Sequence, residues 1–165
     1  DIDYATSSFG QGIAVTSIQM LSAVGALANG GVLMEPHLVS SVIGESEVPV
    51  PPKSRGQVIS PETATRITTL MVKAVEEGEA KWAAPKGYVV AGKTGTAQIA
   101  VEGHYDAEKT IASFVGFAPA YNPRFVMLVK LSEPQSSQWA SETAAPLWFG
   151  IAKKLLLHYN IPPGD

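Results

Sequence analysis

The 165-residue chain has no cysteine, only three histidines, and just 16% charged residues. The first absence excludes disulfides and thiolate metal sites but leaves the compartment open, since cysteine-free proteins occur on both sides of membranes. The histidines do not make up for it: His37 follows a proline without an HExxH-type partner, and His104 and His158 stand alone. Neither a metal nor a cofactor is expected. Twelve basic residues against fifteen acidic ones give a net charge of −3 with no basic block, which argues against a nucleic-acid partner. A membrane-spanning run is also missing. The longest apolar stretch, Ile13 to Met34, is broken by Thr16, Ser17, Gln19, Ser22 and Asn29 and by Gly25, Gly30 and Gly31. No repeat, heptad or low-complexity segment is evident. The chain starts at Asp1 without an initiator Met, a charged n-region or an apolar h-region; it therefore reads as a piece of a longer product, with any anchor upstream.

What is present is a composition 45% hydrophobic, enough for one well-buried globular domain. Ser7-Ser8-Phe9-Gly10-Gln11-Gly12 reads as a glycine-flanked turn feeding a helix. Thr16 with Gln19 three residues on forms a capping box, and Ile18, Leu21, Val24 or Gly25, and Ala28 recur at helical spacing until Asn29-Gly30-Gly31. From Val32 to Val58, short apolar pieces broken by prolines predict peripheral strands and loops. Ser60-Pro61-Glu62 opens a second helix, with Ala64, Ile67, Met71, Ala74 and Val75 on its apolar face and an end near Gly78. Glu76, Glu77 and Glu79 at its C-terminal end read as a solvated face. Strands are predicted at 88–100, 111–118 and 124–132, with a polar loop from Val101 to Thr110. Their short connections favour an antiparallel meander. A final helix, Ala144 to Tyr159, is apolar on most sides and should lie against the sheet. The fold class is α+β, an antiparallel sheet flanked by helices.

The most informative stretch is Tyr88-Val89-Val90-Ala91-Gly92-Lys93-Thr94-Gly95-Thr96-Ala97-Gln98-Ile99-Ala100. Strand formers run straight through a Lys-Thr-Gly-Thr cluster, although glycine is a poor strand residue unless a backbone or ligand must come close. One wall of a cleft supplies the reason. Gly95 lets the main chain approach a substrate, Lys93 offers a fixed positive charge, Thr94 and Thr96 offer hydroxyls for a carboxylate, and edge N–H groups can stabilise an oxyanion. Gly87 to Thr94 also fits the pattern G-x-x-x-x-G-K-[ST] of a phosphate-binding loop. That reading fails on context, because no strand precedes Gly87, strand formers fill the middle, and Gly95 with β-branched residues follows where a helix should open.

Lys-Thr-Gly belongs with S-x-x-K and S-x-N in the signature of penicillin-recognising serine enzymes. Neither partner is in the chain: no lysine has a serine three places before it, and no asparagine has one two places before it. Phe9-Gly10-Gln11-Gly12-Ile13 with Val15-Thr16 and Ala28-Asn29-Gly30-Gly31, then Ala91 to Gln98, then Ser113 to Pro119 with Asn122-Pro123-Arg124, nevertheless resemble the C-terminal part of a class B penicillin-binding protein transpeptidase domain. The resemblance covers nearly the whole chain, and the cell-division and sporulation branch is the most similar.

That resemblance implies a β-lactamase/transpeptidase-like fold with three of the usual five strands, and residues 1–165 as one portion of a single domain. It implies a D,D-transpeptidase that cross-links peptidoglycan stem peptides through an acyl-serine intermediate and binds β-lactam antibiotics. By position, Lys93 supports the electrostatics of the site, Thr94 and Thr96 bind the substrate or drug carboxylate, the Thr96 N–H is one oxyanion donor, and Gly95 keeps the wall open. The implied location is the extracytoplasmic face of a bacterial cell membrane, and the implied partner is the missing N-terminal part of the domain, in the same polypeptide or as a separate chain. With the serine, its lysine and S-x-N absent, the isolated chain is expected to be inactive. The alternatives are a non-catalytic binding or scaffold remnant of that fold, and a serine β-lactamase or β-lactam sensor.

Overall fold

The structure, a computed structural model, describes residues 2–8, 10, 12–101 and 104–164. In chain order the elements are α1 (Ile2–Ser7), α2 (Ser17–Ala28), β1 (Val32–Met34), β2 (Ser41–Ile43), β3 (Glu47–Pro49), β4 (Ser54–Gln57), α3 (Pro61–Glu76), a 3-10 turn at Lys81–Ala83, β5 (Ala91–Val101), β6 (His104–Ala118), β7 (Phe125–Ser132) and α4 (Ala144–His158).

Both central helices begin where local chemistry dictates. The Thr16 hydroxyl accepts the Gln19 N–H at 3.3 Å, and the Gln19 side chain accepts the Thr16 N–H at 2.8 Å. Two N–H groups that the first turn would leave unpaired are thereby satisfied. Ser60 caps α3 by accepting the Thr63 N–H at 3.1 Å, with Pro61 at the first helical position. After α2 the chain turns through Gly30 and Gly31 at φ 62° and 92°. Gly31 has a second constraint, since a Cβ there would collide with the Ile59 carbonyl. Phe9 and Gln11 of the expected turn lie outside the described residues.

The buried stripe of α3 departs from expectation. Ala64, Thr68, Val72 and Val75 are buried, Ile67 and Met71 are half-buried, and Ala74 is exposed. Thr68 can occupy the inner face because its hydroxyl donates to the Ala64 carbonyl at 2.9 Å, which satisfies its polar group within the helix.

The main sheet is the antiparallel meander β5-β6-β7. Its first hairpin is longer than the sequence suggested. The expected polar loop from Val101 to Thr110 is instead mostly strand, with Ala100 paired to Tyr105 and Val101 to His104 after a register shift between Gln98 and Ala100. Strand propensity is set by context as much as by residue type, so composition alone misread the segment; Glu102 and Gly103 lie outside the described residues. At the other end β5 begins at Ala91, not Tyr88.

The sheet has two covered faces. One carries Ala112, Phe114, Val129, Met127 and Leu131 and packs on α4, where Trp148, Phe149, Ala152 and Leu156 are buried. The other carries Ala91, Phe117, Val115 and Val126 and packs on Val24 of α2 and Val72 of α3. α4 is less evenly buried than predicted, with Leu147 and Leu157 exposed. The stretch before α3 forms two small antiparallel pairs, β1 with β4 and β2 with β3. Among the described residues no helix is long and apolar enough to cross a membrane.

Candidate functional site: the Lys93–Thr96 edge

Strand β5 lies at one end of the three-stranded order, so one of its sides has β6 as partner and, among the described residues, the other pairs with no strand and is open. Residues alternate across the pleat. Thr94 pairs with Phe114 and Thr96 with Ala112, both on the α4 face, whereas Lys93 pairs with Val115 and Gly95 with Ser113 on the α2–α3 face. The predicted site residues therefore divide between two faces and share only the backbone edge.

The direction of that backbone follows from two bonds. The Val89 carbonyl accepts the Ala120 N–H at 2.9 Å, and the Gly95 carbonyl accepts the Ser113 hydroxyl at 3.2 Å. Main-chain groups of alternate residues point to opposite sides of an extended strand. Odd-numbered residues here address β6, and Thr94 and Thr96 present their N–H and C=O groups to the open side. Lys93 is exposed, and its ammonium donates to the Thr94 carbonyl at 3.0 Å, so the charge is held along the edge.

The two glycines of the strand have different causes. A Cβ at Gly92 would lie 2.4 Å from the Phe114 ring, so this glycine serves core packing on the α4 face. A Cβ at Gly95 would meet only the Ser113 hydroxyl oxygen, at 2.8 Å. Gly95 leaves its own face bare beside Lys93.

Thr96 is the anchored member of the cluster. Its hydroxyl oxygen accepts the N–H of Ala140, 44 residues further on, at 3.1 Å. The turn that carries Ala140 is itself tethered: the Thr110 hydroxyl donates to the Gln138 carbonyl at 3.0 Å, the Ser141 hydroxyl to the Glu79 carboxylate at 3.3 Å, and the Thr143 hydroxyl to the Trp139 carbonyl at 2.7 Å. Glu79, read as part of a solvated helix end, has a defined partner. Sequence reasoning missed Thr110, Ser113 and the 138–141 turn; only Ser113 stood in a recognisable motif, and Ala140 contributes through its backbone alone. The phosphate-loop alternative finds no support, since strand β5 occupies the place where its helix would open.

An α+β sheet sandwiched by helices, with a Lys-Thr-Gly-Thr edge strand, defines the β-lactamase-like class of fold. The sequence profile of the penicillin binding protein transpeptidase domain matches residues 1–157, and the chain belongs to that family. It is 37% identical over 167 residues to stage V sporulation protein D of Bacillus subtilis, covering 98% of this chain and 26% of that protein. It is 35% identical over 173 residues to penicillin-binding protein PbpB of Mycolicibacterium smegmatis, with 96% and 26% covered. These relatives are class B penicillin-binding proteins. Penicillin-binding protein 3 of Mycobacterium tuberculosis, in complex with ampicillin, superposes with a TM-score of 0.87 at 31% identity over 98% of this chain and 39% of that one. The transpeptidase domain of Burkholderia pseudomallei penicillin-binding protein 3 gives 0.79 at 33% identity, with 99% and 48% covered. The chain thus spans 26% of the length of the two curated relatives.

Proposed function

We propose that residues 1–165 form one portion of a single D,D-transpeptidase domain and supply its substrate-binding edge strand. The observation that carries this reading is the open side of β5, where the main-chain groups of Thr94 and Thr96 lie beside the Lys93 ammonium. In the reaction, a serine outside this sequence attacks the penultimate D-alanine carbonyl of a stem peptide. The terminal D-alanine leaves with a proton, and the acyl group passes to an amine of a neighbouring stem. The Thr96 N–H stabilises the oxyanion, the Thr94 and Thr96 hydroxyls hold the substrate carboxylate, and Lys93 supplies a fixed positive field. Gly95 keeps the approach free. β-Lactams acylate the same serine. The reaction belongs on the outer face of the bacterial cell membrane, where its substrate lies.

Because no S-x-x-K is present in the sequence, the isolated chain should not be labelled by penicillin, while the full-length protein that carries it should be. Intact mass after incubation with benzylpenicillin checks both. A stable adduct on the isolated chain would reveal a nucleophile within it, and an unlabelled full-length protein would favour a non-catalytic scaffold.

A further inference from the structure

We propose that Thr110 and the Gln138–Ala140 turn are positioning elements that turn the Thr96 hydroxyl into a directed proton donor for an anion. The proposal rests on the reading of β5 as the anion-binding edge and deepens it. A hydroxyl has one proton and two acceptor sites. At Thr96 one acceptor site is taken by the Ala140 N–H, so the proton cannot lie on that side and turns away from the turn. Accepting an N–H also polarises the O–H bond and strengthens it as a donor. A free threonine hydroxyl would sample three rotor positions and accept as readily as donate.

The Ala140 N–H can impose this only if it is itself fixed. Ala140 is 1% exposed, and its carbonyl accepts the Ala145 N–H at 2.9 Å at the head of α4. Upstream, the Gln138 carbonyl is held by the Thr110 hydroxyl, which is on the same α4 face as Thr96 and is 3% exposed. The Thr110 carbonyl in turn accepts the Glu133 N–H at 2.9 Å, which fixes the start of the same connection. Thr110 therefore ties both ends of the segment between β7 and the turn to strand β6. Thr110 lies opposite Gln98, two positions beyond Thr96 on β5, and its hydroxyl is directed to the Gln138 carbonyl and not to Lys93. Its effect on an anion passes through Ala140 and Thr96.

The test is a double-mutant cycle in the full-length protein, using benzylpenicillin, which has a free carboxylate, and its uncharged methyl ester. Thr110→Val keeps the shape and removes the bond to Gln138; Thr110→Ser keeps the bond. The expected result is that Thr110→Val raises the concentration for half-maximal acylation by benzylpenicillin about three- to tenfold, the weight of one ordinary hydrogen bond. The limiting acylation rate and the methyl-ester reaction should stay unchanged, and Thr110→Ser should restore the parental value. In a Thr96→Val background Thr110→Val should add nothing, because the two act on one hydroxyl. Equal losses for acid and ester, or additive losses in the double variant, would overturn the proposal and leave Thr110 a purely structural residue. Thermal melting monitors folding, and should Thr110→Val fail to fold, Thr110→Ala enters the same cycle. A full-length parent that is not acylated at all would instead refute the transpeptidase reading.

Discussion

The two faces of the β5-β6-β7 sheet are built to different standards of closure. On the α4 side Phe114, Trp148 and Leu156 are sealed from water, and the rings of Phe114 and Trp148 meet at 5.0 Å. On the other side the buried core is smaller, and Ile18 on α2 and Leu70 on α3 stay open to solvent, as Leu147 and Leu157 do on the outer side of α4. Lys93 stands on the less covered face, and the anchored Thr96 on the sealed one. The difference teaches that one strand can take its rigidity from one side and hold its charge on the other. A site made this way should separate stability from chemistry by face.

The largest expected effect is on the sealed face. Trp148→Ala should destabilise the full domain by about 3–5 kcal/mol in denaturant unfolding, from lost burial and the cavity left behind. It also leaves the Met127 carbonyl without the indole N–H that reaches it at 2.8 Å. A loss under about 1 kcal/mol would erase the contrast. Next in size is Lys93→Ala on the opposite face, which should slow acylation of the full-length protein by about 10²-fold or more while shifting stability by no more than about 0.5 kcal/mol. Parental acylation would remove Lys93 from the site, and a large stability loss would show that the faces do not divide the two roles. The smallest concerns a single strand position. Gly92→Ala should cost about 1–3 kcal/mol by pushing a methyl group into the Phe114 ring, measured by the same unfolding curves. A neutral result would mean that the ring moves aside at no cost.

Much of this arrangement was legible before any coordinates. The starts of α2 and α3 were, because Thr16-x-x-Gln19 and Ser60-Pro61 act within one turn, and so was the meander order, because its connections are short. The split of the Lys93–Thr96 cluster across two faces follows from the pleat, yet the cluster read as a single wall because strand boundaries and partners were unknown. Two features left no mark. Ala140 reaches Thr96 with a backbone N–H, which every residue except proline has, across 44 positions. The inner stripe of α3 runs through Thr68, whose polar group disappears into its own helix, so a search for apolar spacing passes it by.

After α4 the chain returns to where β5 is about to begin. The Gly164 N–H reaches the Gly87 carbonyl at 2.7 Å, and the Tyr88 hydroxyl reaches the Ile161 carbonyl at 3.0 Å. The stretch from Gly87 to Gly164 is therefore a closed circuit whose two ends clasp each other, with the meander and α4 inside and the β2–β3 pair outside. In hydrogen-exchange terms this marks a cooperative unit. Amides of β6 and α4 should open together and last, while those of β2 and β3 exchange through their own shallow fluctuations. Strand β5, with one side paired and one side free, lies on the rim of that unit, so its outward N–H groups stay available without any need for the core to open.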